Sequence, residues 1–123
     1  MPRPLHTVVE TPEFQRKIGR LLSAEERRAL IDYVAANPDA GDVMPGTGGA
    51  RKLRWGAGGK GKRGGVRVIT FYSGPPVPVF LLTAFGKGQK IDLTQVERNE
   101  LRRVLGALVE QYLEGVRRHV QRR

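Results

Sequence analysis

The sequence predicts an α+β fold in which helices pack on a small antiparallel sheet. Two observations indicate this class. Apolar residues recur at helical spacing near both ends of the chain, whereas runs of β-branched and aromatic residues lie in its middle. The predicted order is one strand, two helices, three strands and a final helix. With 123 residues and no internal repeat, the chain is expected to form a single domain, 1–123.

The first part of the chain predicts a strand followed by a helical hairpin. Leu5–Glu10 is rich in β-branched residues and indicates the strand. Thr11 and the proline after it are typical of a helix cap and first helical position. Ser23 and Glu26 have the capping-box spacing that begins a second helix. Asn37 precedes a proline, which ends that helix.

Three strands are predicted in the middle of the chain, at Arg51–Trp55, Val66–Tyr72 and Val77–Phe85. Ser73–Pro76 separates the last two and predicts a hairpin loop, because glycine and proline favour turns. After them, Thr94 begins another capping-box pattern, and an apolar stripe at helical spacing follows. Residues 117–123 are expected to form a frayed, basic tail.

The composition excludes several kinds of site. The chain has no cysteine, so disulfides and thiolate metal ligands are impossible. Its two histidines, His6 and His119, lie near opposite ends, and we expect neither a metal site nor a cofactor. The N-terminus lacks the apolar run of a signal peptide, and no stretch is long and apolar enough to cross a bilayer. We therefore expect a cytoplasmic protein that does not enter a membrane.

The positive charge is concentrated in the middle of the chain. The formal net charge is +10, and no carboxylate side chain lies between Asp42 and Asp92. That stretch contains nine lysines and arginines: Arg51, Lys52, Arg54, Lys60, Lys62, Arg63, Arg67, Lys87 and Lys90. A positive surface of this kind attracts polyanions, so nucleic acid is the first candidate partner.

These cations are expected to meet on an open face of the sheet. Because strand residues point alternately to two faces, Arg67 and alternate members of Arg51–Arg54 can converge there. Arginine binds phosphate through two parallel hydrogen bonds, and lysine supplies a compact charge. Nearby aromatic rings can stack unpaired bases, although Trp55 and Phe71 are more typical of core residues.

The same stretch also permits RNA cleavage. Attack by a 2′-hydroxyl requires a base, stabilisation of charge on the phosphate and protonation of the leaving oxygen. The acid-free stretch contains no histidine, but a lysine surrounded by cations has a lowered pKa and can act as a base. From the residues alone, a binding surface and a nuclease site both remain open.

Three linked segments resemble toxins of the RelE/ParE superfamily, in its HigB-type branch. They are Gly41–Arg54, Gly59–Ile69 and Phe80–Lys87, the last followed by Asp92-Leu93-Thr94. The resemblance implies a RelE-like fold and a type II toxin that cleaves messenger RNA on the ribosome, with no metal. Such enzymes use 2′-hydroxyl attack and leave a cyclic phosphate.

The resemblance also implies roles for individual residues. Arg67 matches the arginine that stabilises the scissile phosphate, and Lys52 and Arg54 match positions where relatives place a lysine base. Lys87 lies where relatives carry a basic residue after the last strand. The residues expected to bind RNA are Arg51, Lys60, Lys62, Arg63, Phe85 and Lys90. Many relatives have tyrosine where this chain has Phe85, which can stack on a base but cannot exchange a proton.

The implied partners are the ribosome, messenger RNA and a cognate antitoxin of the helix-turn-helix type. Homo-oligomers are not expected without the antitoxin. Two other functions stay open: a ParE-like protein that poisons DNA gyrase, and an RNA-binding module without catalysis. The loop containing Lys60, Lys62 and Arg63, together with Arg67, favours the nuclease over the gyrase poison.

Overall fold

The computed structural model describes residues 5–56, 65–86, 88–89 and 93–121, with side chains described as far as Arg118. Within these residues it contains five strands and three helices, so the predicted α+β class is confirmed. The elements are β1 Val8–Glu10, α1 Pro12–Ile18, α2 Ala24–Ala36, β2 Asp42–Val43, β3 Ala50–Trp55, β4 Val66–Phe71, β5 Val79–Gly86 and α3 Gln95–Gln121. None of the described helices is both long enough and apolar enough to span a membrane.

All three predicted helix starts are present. The Thr11 hydroxyl accepts a hydrogen bond from the backbone N–H of Phe14 at 3.3 Å. In α2 the backbone N–H of Glu26 donates to the Ser23 hydroxyl, and the Glu26 carboxylate accepts from the Ser23 N–H. Thr94 and Glu97 form the same reciprocal pair before α3. These bonds satisfy N–H groups that the first turn of a helix leaves free.

The sheet is mixed, so the predicted antiparallel sheet is wrong for one strand. The strand order is β1-β5-β4-β3-β2, and β1 pairs with β5 in parallel, with Val8 opposite Val79. The other neighbouring pairs are antiparallel. A tight loop fixes the direction of β5 relative to β4, but β1 is separated from β5 by most of the chain. Local signals therefore could not determine its direction.

Helices cover both faces of the sheet. On one face, which we call the hairpin face, Leu53, Val68 and Leu81 pack with Phe14 and Leu30 of α1 and α2. On the other, the α3 face, the sheet residues Ala50, Ile69, Phe71 and Phe80 pack with Leu105 of α3. The expectation of one open face is therefore wrong, because the long C-terminal helix supplies a second apolar layer.

The segment before β3 is an ordered turn. The backbone N–H of Met44 donates to the carbonyl of Ala50 at 2.8 Å, and the buried Thr47 hydroxyl donates to the Met44 carbonyl at 2.7 Å. The turn lies against α3, where Arg98 donates to the Pro45 carbonyl at 2.8 Å. Gly48 has φ +79, and a Cβ there would lie 3.2 Å from the Arg102 side chain. This glycine therefore allows the turn to approach the helix.

Helix α3 is longer than the sequence indicated. It has 27 residues and continues to Gln121, past Arg117, where a frayed tail was expected. At a rise of about 1.5 Å per residue it is ~40 Å long. Tyr112 and Val116 are exposed in its second half. Leu105 is buried and Leu101, Leu108, Val109 and Leu113 pack beside it, so the apolar packing of α3 extends into the second half of the helix.

Candidate nucleic-acid interface

Two arginines lie directly opposite each other on neighbouring strands. In the β3–β4 register Arg54 is opposite Arg67, and in the β4–β5 register Arg67 is opposite Phe85. Residues paired in this way lie on the same face of the sheet, with Cα atoms about 4.5–5.5 Å apart. The three side chains therefore form a row across β3, β4 and β5. The row is on the α3 face, because Ile69, two residues from Arg67, packs with α3.

Lys52 belongs to the next row of the same face. It pairs with Ile69 of β4, which in turn pairs with Thr83 of β5. Because Lys52 and Arg54 are two residues apart on one strand, their side chains leave the sheet on the same side. The structure thus brings together the three described residues to which a catalytic role was assigned: Lys52, Arg54 and Arg67.

The two arginines have no compensating charge in the part of the chain that the structure describes. Neither side chain forms a hydrogen bond or ion pair there. Arg54 is exposed, whereas Arg67 is half-buried, and its Nη1 atom is fully buried without a partner. A buried donor without an acceptor costs about 1–3 kcal/mol, and more when it is charged. An unpaired guanidinium beside a second cation is a natural site for an anion with several oxygens, such as phosphate.

Arg51 does not join this group. It pairs with Thr70 and lies on the hairpin face, since Leu53 and Trp55 on the same side of β3 pack there. Its Nη1 donates to the carbonyl oxygen of Gly41 at 3.0 Å. Strand alternation therefore places the Arg51 side chain on the face opposite to Arg54 and Arg67, and its role in RNA binding stays a prediction.

The aromatic residues divide between core and site. Phe71 is buried, and Trp55 packs on the hairpin face with its ring centroid 5.3 Å from that of Tyr33. Their predicted core role is confirmed. Phe85 is half-buried at the end of the arginine row and lines a hollow on its other side. Of these three rings, Phe85 is the one placed to contact a bound base.

Half of the assigned site residues lie outside the described residues. They are Lys60, Lys62, Arg63, Lys87 and Lys90. Their predicted roles in gripping RNA, and in catalysis for Lys87, therefore stay predictions. The two strands that flank residues 57–64 are described, and Trp55 pairs with Val66 where they meet that segment. Arg54 and Arg67 form the next pair along these strands, one residue further from the 57–64 segment.

Sequence reasoning missed a second basic group. Arg16, Lys17 and Arg20 of α1 and the turn after it line a hollow of about 360 Å³ with Ala84, Phe85 and Gln89. The signal was present, because residues 16 and 20 have the i,i+4 spacing of one helix face. The sequence could not indicate that this face lies beside Phe85, which depends on how α1 packs along β5.

No known protein-family model matches the chain. The resemblance noted above therefore rests on the order and spacing of its three motifs. The features that bear on function are two adjacent arginines whose side chains lack a partner among the described residues, a lysine on the same face and an aromatic ring at the end of the row.

Proposed function

We propose that the protein is a toxin that binds messenger RNA on the ribosome and cleaves it by 2′-hydroxyl attack on the adjacent phosphate. The Arg54–Arg67 pair carries this proposal. Two arginines directly opposite each other, one of them half-buried with an unpaired guanidinium nitrogen, suit a phosphate whose charge increases during the reaction. A structural role does not account for the pair, because like charges directly opposite each other destabilise a sheet.

In the proposed reaction a base removes the proton of the 2′-hydroxyl, whose oxygen then attacks the neighbouring phosphorus. The bond from phosphorus to the 5′-oxygen breaks, and that oxygen takes up a proton. The products are a 2′,3′-cyclic phosphate and a 5′-hydroxyl. Arg67 and Arg54 would stabilise the phosphate oxygens, and Lys52, which lies on the same face, is our candidate for the base.

Two further proposals concern location and control. We propose that the toxin acts in the cytoplasm, where a neighbouring antitoxin of the helix-turn-helix type keeps it inactive. An acidic or apolar antitoxin segment that covers the Arg54–Arg67 pair would block access of phosphate. Gyrase poisoning is the alternative from another functional class, but a gyrase-binding surface needs no adjacent pair of phosphate-binding side chains.

The experiment is primer extension on messenger RNA after induction of the protein. We expect cuts within translated codons and 3′ ends that carry a cyclic phosphate. Replacement of one group that stabilises the transition state typically lowers a rate by about 10²–10³-fold, so Arg67→Ala should abolish detectable cuts. The matched control is Arg28→Ala, which changes an exposed arginine on α2, away from the arginine row.

The outcomes separate the three functions. Topoisomerase-linked DNA breaks without RNA cuts would support the gyrase alternative. RNA binding with neither kind of cut would support the non-catalytic module. Equal toxicity of the wild type and Arg67→Ala would remove Arg67 from the mechanism. In a binding assay, RNA affinity should fall steeply with salt, because each neutralised phosphate releases counterions.

A further inference from the structure

The α1–β5 hollow is a candidate site that the proposed reaction does not use. It lies where α1 packs along the outer edge of β5. Strand β1 pairs with β5 only as far as Leu81, and the Thr11 hydroxyl contacts the carbonyl oxygens of Leu81 and Leu82 at 2.9 Å each. Beyond that point no described strand pairs with β5 on this side, and Lys17 of α1 reaches Thr83 of β5. The resulting hollow of about 360 Å³ is within the range of small-ligand sites.

The cationic wall of this hollow has two unpaired members. The side chains of Arg16 and Arg20 form no hydrogen bond or ion pair among the described residues, and both residues are exposed. Lys17 differs from them, because its Nζ atom lies 3.8 Å from the Glu13 carboxylate and donates to the Thr83 hydroxyl at 3.3 Å. Arg16 and Arg20 are therefore available to bind an anion, whereas Lys17 helps to hold α1 against β5.

The remaining residues that line the hollow have the features that a nucleotide needs. Leu21, Ala84 and Phe85 supply apolar and aromatic surface. Gln89 stands opposite, and its side-chain oxygen accepts a hydrogen bond from the backbone N–H of Gly86 at 2.6 Å. With the oxygen engaged in this way, the amide nitrogen is the group of Gln89 that remains to donate to a ligand. A base could pack on the apolar side chains, its phosphate could bind Arg16 and Arg20, and the Gln89 amide could donate a hydrogen bond to the same nucleotide.

We propose that the α1–β5 hollow is a second nucleotide subsite for single-stranded RNA. The proposal rests on the proposed function and adds to it, because Phe85 belongs to both the arginine row and the hollow. The RNA chain that places its reactive phosphate at the Arg54–Arg67 pair would continue past Phe85. A flanking nucleotide would then lie in the hollow, with its phosphate bound by Arg16 and Arg20.

The test compares short and long RNA. Fluorescein-labelled oligouridines of three and nine nucleotides would be titrated with wild-type protein, Arg16→Gln/Arg20→Gln, Arg67→Ala and Arg28→Gln, and binding followed by fluorescence anisotropy at several salt concentrations. Arg28 is an exposed α2 arginine without a hydrogen bond or ion pair in the described structure, and serves as the matched control. Thermal melts would establish that each variant folds; exposed substitutions of this kind are usually well tolerated.

We expect the Arg16→Gln/Arg20→Gln variant to bind the nonamer about tenfold more weakly, as for loss of charge-assisted hydrogen bonds, and the trimer as wild type does. The salt slope for the nonamer should fall by about 0.7 for each phosphate contact removed. Arg28→Gln should leave both affinities unchanged, and Arg67→Ala should weaken both.

Three results would overturn the subsite in different ways. If Arg67→Ala weakens binding but Arg16→Gln/Arg20→Gln binds both RNAs as wild type does, the hollow binds no nucleotide and the proposed function stands. If Arg67→Ala has no effect on either RNA, free RNA does not bind at the Arg54–Arg67 pair and the subsite that continues from it fails; primer extension then decides the proposed function separately. Equal losses in Arg28→Gln and Arg16→Gln/Arg20→Gln would indicate general electrostatic attraction and would also overturn it.

Discussion

Replacement of Arg67 by methionine should stabilise the protein while abolishing the proposed RNA cleavage. The Arg67→Met change removes a guanidinium whose Nη1 atom is buried without a partner and which lies opposite Arg54. Methionine retains an unbranched, flexible stem, so packing of the aliphatic part of the side chain against β3 and β5 is largely kept. Stability and activity should therefore change in opposite directions.

The expected change in the free energy of unfolding of Arg67→Met has two contributions. A buried unsatisfied donor costs about 1–3 kcal/mol. Two unit charges ~5 Å apart repel by about 1 kcal/mol in water and ~3 kcal/mol at an effective dielectric constant of 20. Loss of packing offsets part of this gain. We expect the free energy of unfolding to rise by about 1–3 kcal/mol, which raises the melting temperature by several degrees for a domain of this size.

The assay is urea unfolding followed by circular dichroism, with messenger RNA cleavage measured on the same preparation. The midpoint should rise with an unchanged m-value. Arg54→Met provides the comparison: Arg54 is exposed, so its replacement relieves the repulsion without relieving any desolvation, and the gain should be smaller. A loss of more than ~1 kcal/mol in Arg67→Met would show that the guanidinium is a structural group, and would refute the reasoning.

Two pairs of substitutions test the structure around the site. Gly41→Ala should lower stability by about 2–3 kcal/mol in the same assay, because Gly41 has φ +98 and a Cβ there would lie 2.9 Å from the Lys52 carbonyl oxygen. Gly74→Ala, with φ +115 and open space, should cost less; an equal loss would mean that contact with β3 is unimportant. Thr70→Val should raise stability by about 1 kcal/mol, because the Thr70 hydroxyl is buried without a partner. Thr47→Val should lower it, because the Thr47 hydroxyl bonds to Met44 and Ala50; a loss in both variants would contradict this distinction.

The parts of the fold that could be predicted from sequence are those fixed by local chemistry. Thr11, Ser23 and Thr94 each cap a helix through a side chain three residues from its partner, so the signal and its structural consequence lie in one turn. The β4–β5 hairpin was likewise predicted from a short loop. Strand β2 has two residues and no comparable signal, and it forms only because it pairs with Arg51 and Lys52.

The site was only partly predictable, because its geometry depends on distant packing. Alternation along β3 shows that Arg51 and Arg54 point to opposite faces, but not which of them lies beside Arg67. That choice depends on the register between β3 and β4. The hollow at Arg16 and Arg20 depends on where β1 stops pairing with β5, which leaves an edge for α1. Neither the β3–β4 register nor the end of the β1–β5 pairing can be predicted from a single segment of the sequence.

The hydrophobic core fixes the register that forms the arginine pair. On β4 the side chains facing α3 are Phe71, Ile69 and Arg67 in turn, and the first two are buried. A slip of one residue would turn Phe71 and Ile69 toward the hairpin face, where the smaller Val68 packs now, and would disrupt both apolar layers, so packing strongly disfavours it. The register that buries these two residues is also the one that sets Arg67 opposite Arg54. The energy that holds two like charges together therefore comes from the apolar end of the same strand, so packing of the core sets the arginine pair that we propose binds phosphate.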